Sequence, residues 1–412
     1  MTLSKILSVH NSYQQAGGED AVVQAEWKLL KNAGHDVSLF EVSNDCIRGL
    51  ASQLKVGVQV VYSFACRRKL REVLKRKRPD VVHVHNFFPL LTPSIYDACA
   101  DAGVPVVQTL HNYRLLCPGG LFMRNGKICE ECLEKGPFQG VRYGCYRGSR
   151  LQTLPVAMML AIHNWRKTWH EKVNRFIALT KFAREKFIQA GFPSEKIVVK
   201  PNFVRLPKIL AKQKNGKYAV FVGRLSIEKG VVTLLRAWQD LTDMPLKLIG
   251  HGPLLDKAIN LSPKSVEVLG RKTHRDTISL LVKALFLILP AECYEGFPMV
   301  IAEAFACGVP VIASRLGAMA EIIDDGRTGL LFEPRNAKDL ASKVRWLFEH
   351  PEKAEEMGRN ARAEYEEKYT PERNYELLMD IYQQAIEEKG GKGWKARRLG
   401  SKEVLPRSLL VS

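Results

Sequence analysis

A chain of 412 residues, 46% of them hydrophobic and 25% charged, has the composition of a well-packed globular protein of about two domains, which excludes a disordered or fibrous polypeptide. No apolar run approaches the ~20 residues of a membrane-spanning helix, and Met1 to Lys5 lead straight into a strand without an apolar signal core, so a cytoplasmic location is expected. In that compartment the nine cysteines read as thiols or metal ligands rather than disulfides, and the net charge of +19 gathers in basic blocks over 67–78 and 392–398. Such blocks suit phosphates, nucleic acid or anionic lipid, or are plain solvated helix faces.

Short apolar runs alternate with longer amphipathic ones, the pattern of βα repeats and parallel sheets. Strands are predicted over 6–9, 37–42, 81–84, 104–109, 176–179 and 197–199, with helices over 20–32, 66–75 and 180–190. The first and last of these helices stop at Gly34 and Gly191, residues suited to C-caps. Lys200-Pro201-Asn202 and the polar run 212–217 read as a linker. A second series then starts, with strands over 218–222, 246–249, 266–269, 285–289, 309–313 and 329–332. Helices over 337–348, 351–367 and 371–388 close it, and a Gly-rich basic tail fills 389–412. The expected fold class is α/β, two Rossmann-like doubly wound domains facing a cleft, with ligands at the carboxyl ends of the strands. The expected domains are 1–200, carrying a Cys-rich insertion over 112–150, and 201–370, followed by a helix over 371–388.

Three loops carry chemistry. In Phe221-Val222-Gly223-Arg224-Leu225-Ser226-Ile227-Glu228-Lys229-Gly230, Arg224 and Lys229 stand where a strand turns into a helix. A planar fork and a point charge together suit a diphosphate, against the plain reading of two surface cations. Gly250 and Gly252, in Ile249-Gly250-His251-Gly252-Pro253, let backbone approach a ligand, although the third glycine of a dinucleotide fingerprint is absent. Gly17 and Gly18 would bring helix N-terminal amides towards an anion, or form a simple turn. Glu295 and Glu303 lie eight positions apart in an otherwise apolar run, Glu303 where a core helix normally places an aliphatic, which implies a polar partner.

Cys129-Glu130-Glu131-Cys132 is a metal-type knuckle flanked by Cys117 and Cys145 in a glycine-rich, loop-like segment. Four thiolates closing a structural zinc site would order it; iron–sulfur binding or four unlinked thiols are the alternatives. The run 151–165 is apolar with Arg147, Arg150, Arg166 and Lys167 around it, and reads equally as a buried helix or as one lying on an anionic membrane surface.

The Arg224…Lys229 pair, the Glu295…Glu303 pair, the run 303–314, Gly17-Gly18, Ala178-Leu179-Thr180, Pro201-Asn202 and Asp325-Gly326-Arg327-Thr328-Gly329-Leu330-Leu331 together resemble the retaining glycosyltransferases of family 4, which have the GT-B fold. The resemblance spans nearly the whole chain, and it departs from the usual residues at Phe203, Ala291 and Gly317-Ala318. It implies that Arg224 and Lys229 neutralise the donor diphosphate, that Glu303 takes the ribose hydroxyls, and that Glu295 with Gly296, Phe297 and Pro298 holds the transferred sugar. It makes His111, in Thr109-Leu110-His111-Asn112, the active-site histidine, a catalytic residue along with Glu295, with a core histidine as the plain reading, and it returns the helix over 371–388 to the first domain. The implied partners are a nucleoside diphosphate sugar and a glycan or lipid-linked acceptor in cell-surface polysaccharide synthesis, with peripheral contact at the inner membrane face and no nucleic acid. Without an Asp-x-Asp dyad for a divalent metal, no cofactor is expected for the chemistry. A nucleotide-sugar epimerase of the same fold stays open, as does a basic zinc-module protein that binds nucleic acid, although the latter leaves Glu295 and Glu303 idle.

Overall fold

The structure is a computed structural model that describes residues 4–14, 17–47, 49–205 and 217–390. The linker run 212–217, except Lys217, and the tail beyond residue 390 therefore lie outside the described residues. The chain divides into two units: residues 1–120, 130–200 and 374–412 form the first, and 121–129 with 201–373 form the second.

The first unit is built on strands β1 (Lys5–Ser12), β2 (Asp36–Ser43), β3 (Val81–Asn86) and β4 (Val106–Leu110). A two-residue hairpin, β5 (Met123–Arg124) and β6 (Lys127–Ile128), interrupts the series before β7 (Arg175–Ala178) and β8 (Ile197–Val199). The six long strands form one sheet in the order β2-β1-β3-β4-β7-β8, every pair parallel. β3 and β4 are buried along their whole length, as continuous apolar runs must be when helices cover both faces of a parallel sheet. β4 begins at Val106, two residues later than the pattern predicts, because Pro105 has no amide to pair.

The second unit repeats the plan with β9 (Ala219–Val222), β10 (Leu246–Ile249), β11 (Val266–Gly270), β12 (Phe286–Leu289), β13 (Val311–Ser314) and β14 (Gly329–Phe332). Its order is β11-β10-β9-β12-β13-β14, again all parallel. Phe221, Trp238, Phe286 and Val344 centre its core, and the Trp238 indole donates to the Met244 carbonyl at 2.9 Å. β13 starts after Pro310 for the same reason that β4 starts after Pro105. In both units the sheet order reverses beside the strand that comes first in the chain, so the loops leaving β1 and β9 stand at the switch points where such folds bind ligands.

The pattern also misses elements. Helix Ser94–Asp101 went unpredicted because nearly every residue in it, from Ser94 to Cys99, is buried, which erases the polar face that periodicity detects. The basic block over 67–78 is largely the solvated side of helix Phe64–Lys77: Leu70 and Leu74 point inward and Arg67 pairs with Asp101 at 2.7 Å.

Candidate active site

The second unit gathers the predicted donor-binding side chains around the ends of β9 and β12. After β9 the chain runs through Gly223, Arg224 and a single turn, Ile227–Lys229, into helix Val231–Trp238. Gly230 sits between them at φ +70°, and a Cβ there would lie 1.7 Å from the Pro290 carbonyl oxygen. Only glycine lets this turn press against the end of β12. That contact aims Lys229 at the loop after β12, where its Nζ lies 2.6 Å from Glu295 Oε1. Burial alone would lower the Lys229 pKa, but the Glu295 carboxylate overcomes it and holds the ammonium above its ordinary range. Arg224 is more exposed and pairs with Glu228. Burial works to raise the Glu228 carboxyl, yet the Ser226 hydroxyl, its own amide and Arg224 together keep it low.

Gly250 and Gly252 have a reason inside the protein. A Cβ on Gly250, at φ +154°, would come within 1.8 Å of the Gly223 carbonyl oxygen, and one on Gly252 within 2.5 Å of the Leu225 carbonyl oxygen. The loop after β10 thus lies directly on the cationic loop and fixes its shape. The close approach that the sequence assigns to a ligand is here one between two loops.

Pro298 opens helix Met299–Ala306, and the first amides of any helix lack intrahelical acceptors. Phe297 is buried with its ring 5.6 Å from that of Tyr369. Gly296 adjoins Glu295 in the same loop. Glu303, in the second turn of the helix, is not fully buried; its Oε1 lies 3.0 Å from Nε2 of His274. That hydrogen bond raises the His274 pKa. His274 was invisible in the sequence because it merely follows the cap of helix His274–Leu281 and meets Glu303 only through the fold. Cys293 Sγ lies 3.9 Å from Glu295 Oε1, and burial pushes its thiol far up, so it is inert at neutral pH. A shallow groove lined by Lys283, Leu285, Gly308 and Pro351 adjoins the start of β12, the wrong end of the sheet for this chemistry.

In the first unit His111 directly follows β4 and borders a small concavity that includes Asn86, Gln108 and Asn112. Its Nε2 lies 3.1 Å from Nδ1 of His85, with the rings stacked at 5.4 Å. Behind them Glu26 Oε2 stands 3.7 Å from His85 Nε2 and 3.8 Å from His83 Nδ1. Its other oxygen accepts from the Lys200 ammonium at 2.7 Å, both side chains being buried. His83 is held between Thr109 at 2.8 Å and Tyr382 at 2.7 Å. Burial takes His111 down to about 3 and puts His83 and His85 well below the ordinary range, so all three are neutral imidazoles. Glu26, His83 and His85 bring three metal-capable atoms within 4.8 Å of one another, but the Lys200 ammonium already supplies the carboxylate with a cation. No sequence signal marks Glu26 or Lys200, because 174 residues separate them.

Gly17 and Gly18 belong to this first unit, apart in the chain from the other donor-binding candidates. Gly17 caps helix Gly18–Asn32, and its amide donates to Asp20 Oδ2 at 2.8 Å, so this helix end is closed by its own carboxylate. Burial, with Asp20 beside it, pushes the neighbouring Glu19 carboxyl up to about 8. Of the predicted cysteine set, the structure places Cys117, Cys132 and Cys145 together in the first unit, while Cys129 ends the stretch grouped with the second. The run 151–165 falls on helix Arg150–Trp165, which buries Val156, Met159, Leu160 and His163 and exposes Leu151, Leu154, Met158 and Trp165. Among the described residues no helix is long and apolar enough to cross a membrane.

Two parallel Rossmann-like sheets in separate units, with paired cations and paired carboxylates around one switch point, are the marks of a GT-B protein. Residues 203–364 match the family described as Glycosyl transferases group 1, and residues 16–207 that described as Glycosyltransferase Family 4; the chain belongs to this family 4, group 1 class of glycosyltransferases. It is 36% identical over 181 residues to an uncharacterized glycosyltransferase of Methanocaldococcus jannaschii, across 43% of this chain and 51% of that protein. It is 24% identical over 401 residues to the N-acetyl-alpha-D-glucosaminyl L-malate synthase of Bacillus anthracis, across 92% of this chain and 97% of that protein. The chain spans about half the length of the more identical curated relatives it matches. The solved structure of Anabaena HepE in complex with UDP-glucose is similar in fold, with a TM-score of 0.64 at 18% identity over 94% of this chain and 99% of that one.

The buried histidines make stability depend on pH. Their folded pKa values lie below the unfolded value near 6.5, so the unfolded state binds more protons and stability falls as pH drops from about 6.5 towards 3. Each contributes a slope of up to about 1.4 kcal/mol per pH unit. Urea unfolding at pH 7 and pH 5 should show a loss of several kcal/mol, smaller in His111→Gln; equal stability at the two pH values would mean these rings are not buried neutral.

Proposed function

We propose that the chain is a retaining glycosyltransferase that moves a sugar from a nucleoside diphosphate donor to a hydroxyl of a glycan or lipid-linked saccharide. The observation that carries this reading is the Lys229–Glu295 pair at 2.6 Å, set at the switch point with Arg224 beside it. As the glycosidic bond breaks, negative charge grows on the departing diphosphate. Arg224, Lys229 and the first amides of helix Met299–Ala306 supply fixed positive groups for it. Lys229 would exchange Glu295 for a phosphate oxygen, leaving the Glu295 carboxylate to accept hydrogen bonds from the sugar hydroxyls. Glu303, oriented by His274, would take the ribose.

No protein nucleophile is assigned. In the front-face reading the acceptor enters on the side the leaving group departs from, and the configuration at the sugar carbon is kept. A neutral His111 would serve as a hydrogen-bond partner and not as a fixed charge. The protein's own cations take the place of a divalent metal in this chemistry. The donor class is also supported by relatives named for sugar transfer and by a neighbour in fold solved with UDP-glucose.

The acceptor side has a surface suited to lipid. Leu151, Leu154, Met158 and Trp165 recur along one exposed side of helix Arg150–Trp165. Phe64 is also exposed, and its neighbour Tyr62 lies beneath the Arg166 guanidinium. Apolar side chains rimmed by cations fit an anionic bilayer at the inner membrane face.

Thermal shift with UDP, GDP and ADP tests the donor site. One of them should raise Tm, as a ligand that binds only the native state must, and Lys229→Ala should lose that rise and about 10²- to 10³-fold in turnover. No shift with any nucleotide would remove the donor assignment. With the sugar donor that binds, product of inverted configuration, or rearranged sugar without acceptor, would replace the retaining transfer. In flotation, vesicles rich in phosphatidylglycerol should carry the protein and release Leu151→Glu/Trp165→Glu; equal recovery of the two proteins would remove the membrane surface.

A further inference from the structure

Residues 112–149 of the cysteine-rich segment hold little regular structure, yet parts of it are firmly fixed. Apart from the hairpin β5–β6 it contains only the short helices Glu131–Lys135 and Phe138–Tyr143. Neither is long enough to provide a core. Even so, Cys117 is buried, and the Cys117 amide donates to the Tyr113 carbonyl at 2.9 Å.

Three cysteines come near one another where two turns of this segment touch. A Cβ on Gly119 would lie 3.7 Å from Cys117 Sγ and 3.6 Å from Cys145 Cβ, so these two cysteines flank one glycine. A Cβ on Gly140 would lie 2.8 Å from the Pro118 ring, which presses the helix Phe138–Tyr143 onto the same turn, and Cys145 is tied back to Gly140 through a backbone hydrogen bond of 2.9 Å. Cys132 reaches this point from helix Glu131–Lys135. It shares a hydrogen bond with Cys117, stands in the field of Cys145, and receives the Gly140 amide. No disulfide joins any of the nine cysteines.

We propose that Cys117, Cys132 and Cys145 bind one structural zinc ion. Zinc favours four ligands in tetrahedral array and takes thiolates readily, so the three cysteines leave one position of the tetrahedron for a further ligand. Binding releases the thiol protons and leaves a net negative centre. The Arg114 guanidinium is placed to offset that charge: it packs against Gly120 and donates to the Pro118 carbonyl at 2.5 Å. The ion would tie together turns that regular structure does not. It would fix the turn after Tyr113, whose amide donates to Gly120 at 3.3 Å, and so the backbone just beyond His111. The sites used for sugar transfer are not involved, so this inference stands apart from the proposed activity.

The full chain, produced in zinc-supplemented medium and freed of loose metal, should carry one zinc per chain by plasma mass spectrometry. Titration with a mercurial should release that zinc as cysteine thiols react, and a strong chelator should lower Tm. Cys132→Ser and Cys145→Ser should each fall below about one-tenth of a zinc per chain, while Cys46→Ser, altered at an exposed cysteine, keeps its metal. Should the serine variants fail to fold, cobalt loaded into the unaltered chain should show the visible bands of a tetrahedral thiolate complex. Metal-free protein with unchanged Tm under chelation, iron with its own absorption in place of zinc, or a disulfide between any two of the three would each overturn the proposal.

Discussion

The second unit turns on one contact, the approach of the turn at Gly230 to within van der Waals reach of the Pro290 carbonyl. Any side chain at Gly230 would push the loop after β9 away from the end of β12, and the Lys229–Glu295 pair would separate. With the contact made, a cation from one strand end meets a carboxylate from the next. The loop after β10 is then laid over the cationic loop through Gly250 and Gly252. Loops from three neighbouring strands of one sheet are thereby joined, and Arg224 has a fixed place among them. A partly exposed ion pair contributes little to stability, so its value lies in placing an ammonium where an anion can take it over.

The first unit relies on a different constraint. It buries a carboxylate, an ammonium and the imidazoles of His83 and His85 beneath the ends of β1, β3 and β4. Glu26 and Lys200 satisfy each other, and removing either would leave an uncompensated buried charge at a cost of about 3–5 kcal/mol. The histidines stay neutral and link Glu26 to His111 at the surface of the concavity. A buried polar cluster of this kind specifies one arrangement of the ring that faces outward, in place of the several rotamers an apolar floor would allow.

Much of this was legible in the sequence, for physical reasons that also set the limits. Parallel strands covered on both faces must be continuous apolar runs, so β3, β9 and β12 could be read almost to the residue. Where proline intervenes, at Pro105 and Pro310, hydrophobicity continues but hydrogen bonding cannot, and the strands start late. Helix Ser94–Asp101 escaped because burial on nearly all sides leaves no period. Glu295 and Glu303 showed as carboxylates in an apolar run, and Arg224 and Lys229 as cations where a strand turns into a helix. Their partners did not: His274, Glu26 and Lys200 acquire meaning only through contacts made across the fold. The glycines at 250 and 252 were read as letting backbone approach a ligand, and the structure shows them in close approach to a protein loop.

The central claim is that Lys229 gives up Glu295 to hold a diphosphate, and calorimetric titration of the nucleoside diphosphate into Glu295→Gln tests it most directly. Without the competing carboxylate, Lys229 is available beforehand, so the variant should bind the diphosphate at least as tightly as the unaltered protein while losing sugar transfer. A loss of diphosphate affinity in Glu295→Gln as large as that in Lys229→Ala would contradict the account.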